Sequence, residues 1–347
     1  MPNAAHRGTY RVGIDIGGTF TDLAAVDGEG RLHLSKVDTV PGAPELGAIA
    51  ALETSDVPPP DVELLVHGTT IVINAVTERA GARTALLTTS GFRDVLEIGR
   101  ANRPDLYNLA YRKPPPFVPR RLRYEVAERM DHLGRELVAL DEEALPAIAA
   151  ALVDARIESL AICFLHAWAN PTHERRAMEV LGALLPDVTI VRSSEVSGEW
   201  REFERTSTAV LSAYVKPVVG SYLAGFRGAL DEAGVRGPLL VMRSAGGVAS
   251  VDRAVTNPIS LLESGPVAGV EAAAELGRRL GANHVLSLDI GGTTAKTSAV
   301  RDGRPRIETL YHVERTPTSA GYPIQVPVVQ IVEIGRASCR ERVSSVV

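Results

Sequence analysis

The sequence is poor in the residues that mark several specialised classes of protein. Its 347 residues include only two cysteines, Cys163 and Cys339, and 5% aromatic residues. Two cysteines this far apart form neither a metal-binding spacing nor a disulfide framework, which suits the reducing cytoplasm. The net charge of −5 gives no basic field for nucleic acid. No apolar run approaches a membrane span, and the N-terminus lacks a signal-peptide core. We therefore expect a cytoplasmic protein that binds neither nucleic acid nor membranes.

The remaining composition is that of an ordinary globular protein. Hydrophobic residues make up 45% of the chain and charged residues 23%, as in soluble domains generally. The length is sufficient for two domains.

The most informative stretch is RVGIDIGGTFTD at residues 11–22. Its alternating apolar residues predict a buried strand that ends near Asp15. The following glycines leave the backbone open to close approach, and amides of such a turn can bind an anion. An aspartate can hold hydrated Mg²⁺. The alternative is a plain hairpin turn whose aspartate accepts hydrogen bonds from loop amides. The candidate nucleotide-binding residues here are Gly17, Gly18, Thr19, Thr21 and Asp22.

The pentapeptide DIGGT occurs again 274 residues later, in VLSLDIGGTTAK at residues 285–296. Asp289 then corresponds to Asp15. This spacing indicates duplicated domains and not a solenoid. Two such turns facing each other across a cleft can clamp a nucleoside triphosphate from both sides. The candidate residues in the second copy are Gly291, Gly292, Thr293, Thr294 and Lys296.

The strand pattern around the first copy excludes two common phosphate-binding loops. Apolar strands at residues 23–26 and 32–37 flank a turn, which places the first DIGGT in a β-hairpin. The sequence has no GxxxxGK[ST] loop, and the DIGGT turn lacks the third glycine and the helix of a dinucleotide fingerprint.

Other polar turns supply further candidates. HGTT lies between a short strand and a helix, where it can form a phosphate or substrate loop, or only a threonine cap with a packed histidine. An Arg-Asn-Arg cluster fits an anionic or amide substrate, although surface salt bridges are commoner. A glutamate that precedes a small-residue helix is either a base or a hinge salt bridge. These candidates are His67, Gly68, Thr69 and Thr70, then Arg100, Asn102 and Arg103, and then Ser244, Glu263, Ser264 and Gly265.

Six motifs occur in a diagnostic order: DIGGTFTD, HGTT, FERTSTAVLSAYVKP, MRSAGG, ESGPVAGV and DIGGTTAK. This set resembles the hydantoinase/oxoprolinase A family over about residues 10–335. That family includes the A subunit of ATP-dependent N-methylhydantoinase, the N-terminal half of 5-oxoprolinase, and subunits of acetone and acetophenone carboxylases. It belongs to the actin-like ATPase superfamily.

The resemblance implies an α/β fold of the two-lobed actin-like ATPase (ribonuclease H-like) type, with duplicated mixed β-sheet domains. We expect an N-terminal lobe at residues 10–200 and the start of a second lobe at residues 201–335. After residue 335 the chain departs from the family, which expects a glycine-rich run. The sequence there looks like a translated sequencing adapter. We therefore expect residues 336–347 to be non-native, the second lobe to be incomplete, and this chain alone to be poorly active.

The resemblance also implies a function, the ATP-dependent hydrolysis of a cyclic amide of the hydantoin or 5-oxoproline type. ATP phosphorylates the amide oxygen, with Mg²⁺ as the second cofactor and a hydantoinase B-type subunit as partner. Asp15 and Asp289 are the candidate catalytic residues and Mg²⁺ contacts through water. Lys296 either neutralises phosphate charge or faces solvent. The alternatives are a ketone carboxylase subunit, a sugar or metabolite kinase, and a non-catalytic actin-like or chaperone ATPase, among which fold alone does not decide.

Overall fold

The computed structural model describes residues 9–40, 42–100, 105–290 and 294–335. Within these ranges the secondary structure consists of twenty strands and nine α-helices, with short 3₁₀ turns between some of them. The strands are β1 (Tyr10–Ile16), β2 (Phe20–Val26), β3 (Leu32–Asp38), β4 (Val62–Thr69), β5 (Thr84–Thr89), β6 (Arg123–Val126), β7 (Arg129–Met130), β8 (Glu136–Val138), β9 (Ser159–Cys163), β10 (Thr189–Arg192), β11 (Leu239–Met242), β12 (Val248–Ser250), β13 (His284–Ile290), β14 (Thr294–Arg301), β15 (Arg304–Pro305), β16 (Ile307–Glu308), β17 (Tyr311–Val313), β18 (Tyr322–Ile324), β19 (Val328–Val329) and β20 (Val332–Gly335). The helices are α1 (Pro44–Thr54), α2 (Ile71–Thr77), α3 (Val95–Ile98), α4 (Leu145–Asp154), α5 (Thr172–Leu184), α6 (Ser193–Val196), α7 (Glu202–Glu232), α8 (Val251–Thr256) and α9 (Ser264–Leu280).

The first sheet is mixed and has the strand order β12-β11-β4-β1-β2-β3. β1, β2 and β3 form an antiparallel meander, which confirms the predicted hairpin. β4 runs parallel to β1, and β11 runs parallel to β4. Strands β11 and β12, which lie beyond residue 201, thus belong to the same sheet as β1–β4.

The apolar alternation of β1 faces a helical layer. Val12, Ile14 and Ile16 are buried against α1 and the C-terminal half of α7, where Phe226 and Leu230 complete the cluster. Successive side chains of a strand point to opposite faces, so the same strand presents Asp15 on the other face.

Helix α7 is the longest element, with 31 residues and Pro217 in its interior. By length and composition it is apolar enough to cross a membrane, but more than half of its most apolar window is buried inside the protein. Its apolar residues pack against all three of the larger core clusters. This packing accounts for its composition.

The second sheet, β10-β9-β5-β6, is wholly parallel. Strands β5 and β9 are buried along their whole length, as expected of a parallel sheet covered on both faces. Cys163 ends β9 in this core, and burial raises the pKa of its thiol. The cysteine is therefore a core residue, as its apolar surroundings in the sequence predict.

The third sheet repeats the first hairpin. β13 pairs antiparallel with β14, and β15 and β20 pair with β14 in turn. The register of the two copies is the same, because Asp15 lies opposite Asp22 and Asp289 lies opposite Lys296. The copies differ in burial: three apolar side chains of β13 that correspond to the buried face of β1 are 63–72% exposed, namely Leu286, Leu288 and Ile290.

Candidate active site

Asp15 lies at the end of β1, where three of the motifs meet. In the β1–β4 register it stands opposite Gly68 of HGTT. A Cβ atom at Gly68 or at Gly265 of the ESGP turn would lie 3.0 Å from Asp15 Oδ1. Both glycines are therefore needed for the backbone to approach this carboxylate so closely.

A serine connects the second and third of these motifs. Ser264 Oγ donates to the carbonyl of Thr69 at 2.8 Å and accepts from the Thr69 amide at 3.3 Å. Ser264 is also the first residue of the 17-residue helix α9. The amino end of α9, with its free amides and positive dipole, thus lies beside Asp15, where it favours an anion.

A row of charged side chains crosses the first sheet next to Asp15. Asp22 lies opposite Asp15 on β2, and Lys36 lies opposite Asp22 on β3. Lys36 Nζ lies 2.7 and 2.9 Å from the two carboxylate oxygens of Asp22. Sequence reasoning missed Lys36, although the register of the predicted hairpins places it here.

The second hairpin contributes to the same electrostatic environment. The Asp15 side chain is exposed to solvent, although neighbouring protein atoms surround much of it. This partial burial raises the pKa of its carboxyl, the charges of Asp22 and Asp289 raise it further, and Lys296 and Lys36 act in the opposite direction. Three carboxylates and two lysines therefore share one site.

Glu263 links the start of α9 to the second hairpin. Its side chain is 2% exposed, and its backbone is left-handed, with φ 59° and ψ 21°. Lys296 Nζ lies 2.8 Å from its Oε2, and the Tyr311 hydroxyl lies 3.4 Å from Oε1. Glu263 thus forms a salt bridge, which is one of the two roles considered for it, and Lys296 turns inward instead of facing solvent. A left-handed conformation in a residue other than glycine is backbone strain of the kind that clusters at functional sites.

The first DIGGT turn is held together by its own hydrogen bonds. The Gly17 amide donates to the carbonyl of Phe20 at 2.9 Å, and Thr39 Oγ1 donates to the carbonyl of Gly17 at 2.8 Å. Thr21 is fully buried and lies 3.1 Å from Thr39 Oγ1. The prediction that Thr21 contacts phosphate is therefore corrected to a role in holding the turn, while Gly18 and Thr19 remain exposed.

Two further candidates are occupied by other protein groups. His67 is fully buried, with Nδ1 3.2 Å from the carbonyl of Ile14 and Nε2 2.7 Å from the Tyr222 hydroxyl. Thr69 is also buried and accepts from the amide of Ile71 at 3.2 Å. For His67 the structure matches the alternative of a packed histidine, while Thr69 accepts from the first amide of α2 and Thr70, at the N-cap position, makes no side-chain capping hydrogen bond. Thr70 lies against Gly265 beside Asp15.

Two candidates lie apart from Asp15 in their contacts. Ser244 is buried, and its hydroxyl donates to the carbonyl of Ser260 at 2.7 Å, so it is not available to a ligand. Arg100 forms a bidentate ion pair with Glu204, with both N–O distances 2.7 Å. The candidates Asn102, Arg103, Gly291, Gly292 and Thr293 and the segment 336–347 lie outside the described residues, and Thr294 begins β14.

We expect His67 to make the fold sensitive to acid. Burial lowers its pKa from 6.5 to about 4, because the charged ring would lose its hydration, while the hydrogen bond to the carbonyl of Ile14 acts in the opposite direction. Below pH 6.5 the histidine takes up a proton in the unfolded chain but not in the folded one. The free energy of unfolding should therefore fall by about 1.4 kcal/mol per pH unit between pH 6.5 and about 4, and the contribution of His67 should be constant above pH 6.5. Urea unfolding at pH 4.5–7.5 should show this slope in the wild type and a flatter one in His67→Gln. Equal slopes would contradict the assignment.

Two family models match the chain. The model described as hydantoinase/oxoprolinase N-terminal region matches residues 11–185, and the one described as hydantoinase/oxoprolinase matches residues 205–339. The chain belongs to the hydantoinase/oxoprolinase family. The resemblance inferred from the six motifs is thereby confirmed.

Relatives within the hydantoinase/oxoprolinase family match nearly the whole chain. An uncharacterized protein of Methanocaldococcus jannaschii is 41% identical over 335 residues, covering 94% of this chain and 49% of that protein. The caprolactamase subunit alpha of Pseudomonas jessenii is 32% identical over 337 residues, covering 94% of this chain and 47% of its own length. The chain thus spans about half the length of these curated relatives.

Two solved structures share the fold. The ATP-dependent caprolactamase from Pseudomonas jessenii superposes with a TM-score of 0.83 at 32% identity, covering 94% of this chain and 48% of that one. The nucleotide-free acetone carboxylase, from work on ATP-dependent acetone carboxylation, gives a TM-score of 0.84 at 27% identity with the same coverage. The predicted two-lobed α/β fold is confirmed by these matches.

The carboxylates around Asp15 suit a hydrated Mg²⁺ better than a fully protein-bound metal. Among the described residues, no group of three or more His, Cys, Asp or Glu side chains is placed to hold a metal ion. Asp15 nevertheless lies in the repulsive field of Asp22 and Asp289, which a cation would relieve. Mg²⁺ typically keeps several waters and binds one or two carboxylates together with substrate phosphates, so the donor set fits this ion.

Proposed function

We propose that this chain is the ATP-binding part of an enzyme that uses ATP to activate the carbonyl oxygen of a cyclic amide for hydrolysis. The observation that carries the proposal is the meeting of Asp15, the amino end of α9 and the Asp289–Lys296 hairpin at one site. The caprolactamase relative is described as an ATP-dependent enzyme, which supports both the use of ATP and a cyclic amide as the substrate.

The chemistry divides into three steps. The amide oxygen attacks the γ-phosphorus of ATP, and ADP leaves with the electrons of the broken P–O bond. In the second step a water adds to the activated carbon, and the C–N bond breaks as the ring nitrogen takes up a proton, which leaves an acyl phosphate. A second water then hydrolyses the acyl phosphate to a carboxylate and inorganic phosphate. Catalysis of such transfers rests on positioning and charge stabilisation more than on covalent chemistry.

The residues of the site have distinct roles in this proposal. The amides at the start of α9 and the open backbone at Gly18 and Thr19 bind phosphate oxygens. Lys296 neutralises their charge after leaving Glu263. Asp15 and Asp289 hold Mg²⁺ through water, and the ion when bound supplies charge neutralisation of the phosphates.

The test is phosphate release from Mg-ATP in the presence of hydantoin, ε-caprolactam or 5-oxoproline. We expect one of these amides to stimulate ATP hydrolysis and to be opened in equal amount. ATP hydrolysis that no cyclic amide stimulates, or the absence of Mg-ATP binding, would overturn the proposal.

A second candidate function is ATP-dependent carboxylation of a ketone. The sequence identity of 27% with acetone carboxylase, over 94% of this chain, favours it. In that case acetone or acetophenone together with bicarbonate, and not an amide, would stimulate ATP consumption.

We further propose a cytoplasmic location. We also propose a B-type partner subunit, because the caprolactamase relative is itself named a subunit. Both assays should therefore be repeated with the candidate partner added.

Gly18→Ala should separate phosphate binding from folding. A Cβ atom at Gly18 meets no atom within 4 Å, so the substitution should leave the melting temperature unchanged. It should nevertheless weaken Mg-ATP binding about tenfold, because the methyl group occupies space that a phosphate needs. Gly28→Ala is the matched control, since Gly28 also meets no atom within 4 Å and lies at the other end of β2. Calorimetric titration should show weaker binding for Gly18→Ala alone, and equal affinities would contradict this role of the turn.

A further inference from the structure

A cavity lies beside α7, and its lining does not include the carboxylates around Asp15. It has about 930 Å³ of free space, part of which is open solvent. Its walls come from α3, the segment 111–117, the first turns of α7, and β17 and β18 with the segment before β18. Apolar side chains dominate them, including Phe117, Phe203, Leu211 and Tyr322.

The charged groups in the cavity wall are already engaged by the protein. Arg100 and Glu204 form their bidentate ion pair here. Glu97 lies 2.9 Å from a guanidinium nitrogen of Arg123, and Lys113 donates to the backbone carbonyl of Ile98 at 2.8 Å. The wall thus carries two acidic and two basic side chains and offers no net charge to a ligand.

His312 adds a polar group to the wall. Burial, assisted by the charge of Arg315, lowers its pKa from 6.5, so its ring is neutral at pH 7. A neutral imidazole carries one donor and one acceptor, so it can either donate to the carbonyl of an amide or accept from its N–H.

One strand separates this cavity from the carboxylate site. Tyr311 and His312 are successive residues of β17, so their side chains point to opposite faces. The Tyr311 hydroxyl lies 3.4 Å from Glu263 Oε1, while His312 lines the cavity. A ligand in the cavity would therefore contact β17, the strand whose other face contacts the Glu263–Lys296 ion pair.

We propose that this cavity holds the substrate before the reaction, apart from the phosphate site on the other side of β17, and that it selects an uncharged cyclic amide over one that carries a carboxylate. The inference rests on the proposed function for the reaction class and deepens it. An apolar ring fills the aromatic walls, and the amide pairs with His312. A carboxylate would have to compete with Glu204 for Arg100 and would lie near a buried negative charge.

The test measures the binding of ε-caprolactam and of 5-oxoproline to the chain in the absence of nucleotide. Saturation-transfer NMR detects the binding, and calorimetry gives the affinities. We expect the lactam to bind at least tenfold more tightly than 5-oxoproline. Ala320→Trp, which fills the cavity, should weaken lactam binding at least tenfold. Thr318→Trp lies two residues away in an exposed position outside the cavity and should leave binding unchanged. Phe203→Ala, which removes one wall, provides a second variant in case Ala320→Trp fails to fold, and it should weaken binding several-fold.

Mg-ATP binding measured on the same samples distinguishes the two proposals. No lactam binding, equal or tighter binding of 5-oxoproline, or lactam affinity that survives in the folded cavity variants would overturn the cavity assignment, whatever ATP does. Lactam binding that responds to the variants as expected, in a chain that does not bind Mg-ATP, would support the cavity assignment and overturn the proposed function.

Discussion

Replacing Asp15 with asparagine should lower amide-stimulated ATP hydrolysis by a factor of about 100 or more while leaving the fold intact. The carboxylate lies where β1, HGTT and the amino end of α9 meet. Asparagine has the same shape and still fits between Gly68 and Gly265, but it lacks the charge that holds a hydrated Mg²⁺. Because the charges of Asp22 and Asp289 act against ionised Asp15, the substitution should also leave the melting temperature unchanged or slightly raised.

Steady-state phosphate release and thermal melts with and without Mg-ATP measure both parts of this expectation. Asp22→Asn is the matched control, because Asp22 lies on the neighbouring strand opposite Asp15 and is already paired with Lys36. It should reduce turnover by far less than Asp15→Asn. If Asp15→Asn retains wild-type turnover, or if it matches Asp22→Asn, then Asp15 is not the centre of the site.

The repeated hairpin could be predicted from sequence because its signal is local. The alternation of apolar and other residues in RVGIDIGG predicts a strand. The register of the hairpin then determines which side chains stand opposite each other. The pairs Asp15–Asp22 and Asp289–Lys296 follow from this alone. Family motifs added the ESGP turn, whose approach to Asp15 no periodicity indicates.

The predictions that needed correction concerned polar side chains near the ends of strands, which were expected to face a ligand and instead face the protein interior. His67, Thr21 and Ser244 occur in polar, glycine-rich turns, yet all three are buried and hydrogen-bonded to protein groups. Their burial is decided by partners far away in sequence, such as Tyr222 for His67. A lone sequence does not reveal those partners.

The cavity beside α7 was invisible for the same reason. Its lining extends from Leu96 to Pro323, and only Arg100 among these residues had been singled out as a substrate candidate. Arg100 was grouped with its sequence neighbours, whereas the structure pairs it with Glu204 on α7. Apolar residues such as Phe203 and Leu211 read simply as core in a helical pattern.

Glu174→Ala should cost about 3–5 kcal/mol of unfolding free energy. Glu174 is fully buried and accepts from the amides of Phe164 at 3.0 Å and Ser194 at 2.9 Å. Its Oε1 lies 3.7 Å from Nη1 of Arg205, whose side chain is also buried. Removing the carboxylate leaves a guanidinium in the core with much of its countercharge gone, and it leaves two amides without an acceptor.

Urea denaturation provides the measurement, and the same helix provides the control. Arg176, two residues along α5, pairs with Glu142 at 2.7 Å, but both side chains are about half exposed. Glu142→Ala should therefore cost no more than about 1 kcal/mol. A loss below about 1 kcal/mol for Glu174→Ala would mean that the buried pair contributes no more than this exposed one.

The double variant Glu174→Leu/Arg205→Met distinguishes the pairing from the individual charges. If the penalty of Glu174→Ala comes from an unbalanced buried cation, removing both charges should recover a large part of the lost stability. Arg205 immediately follows Phe203 and Glu204, which line the cavity. The single variant should therefore also weaken lactam binding by loosening the first turn of α7, and the double variant should restore it. Recovery of stability without recovery of lactam binding would show that Arg205 is needed to orient the cavity wall.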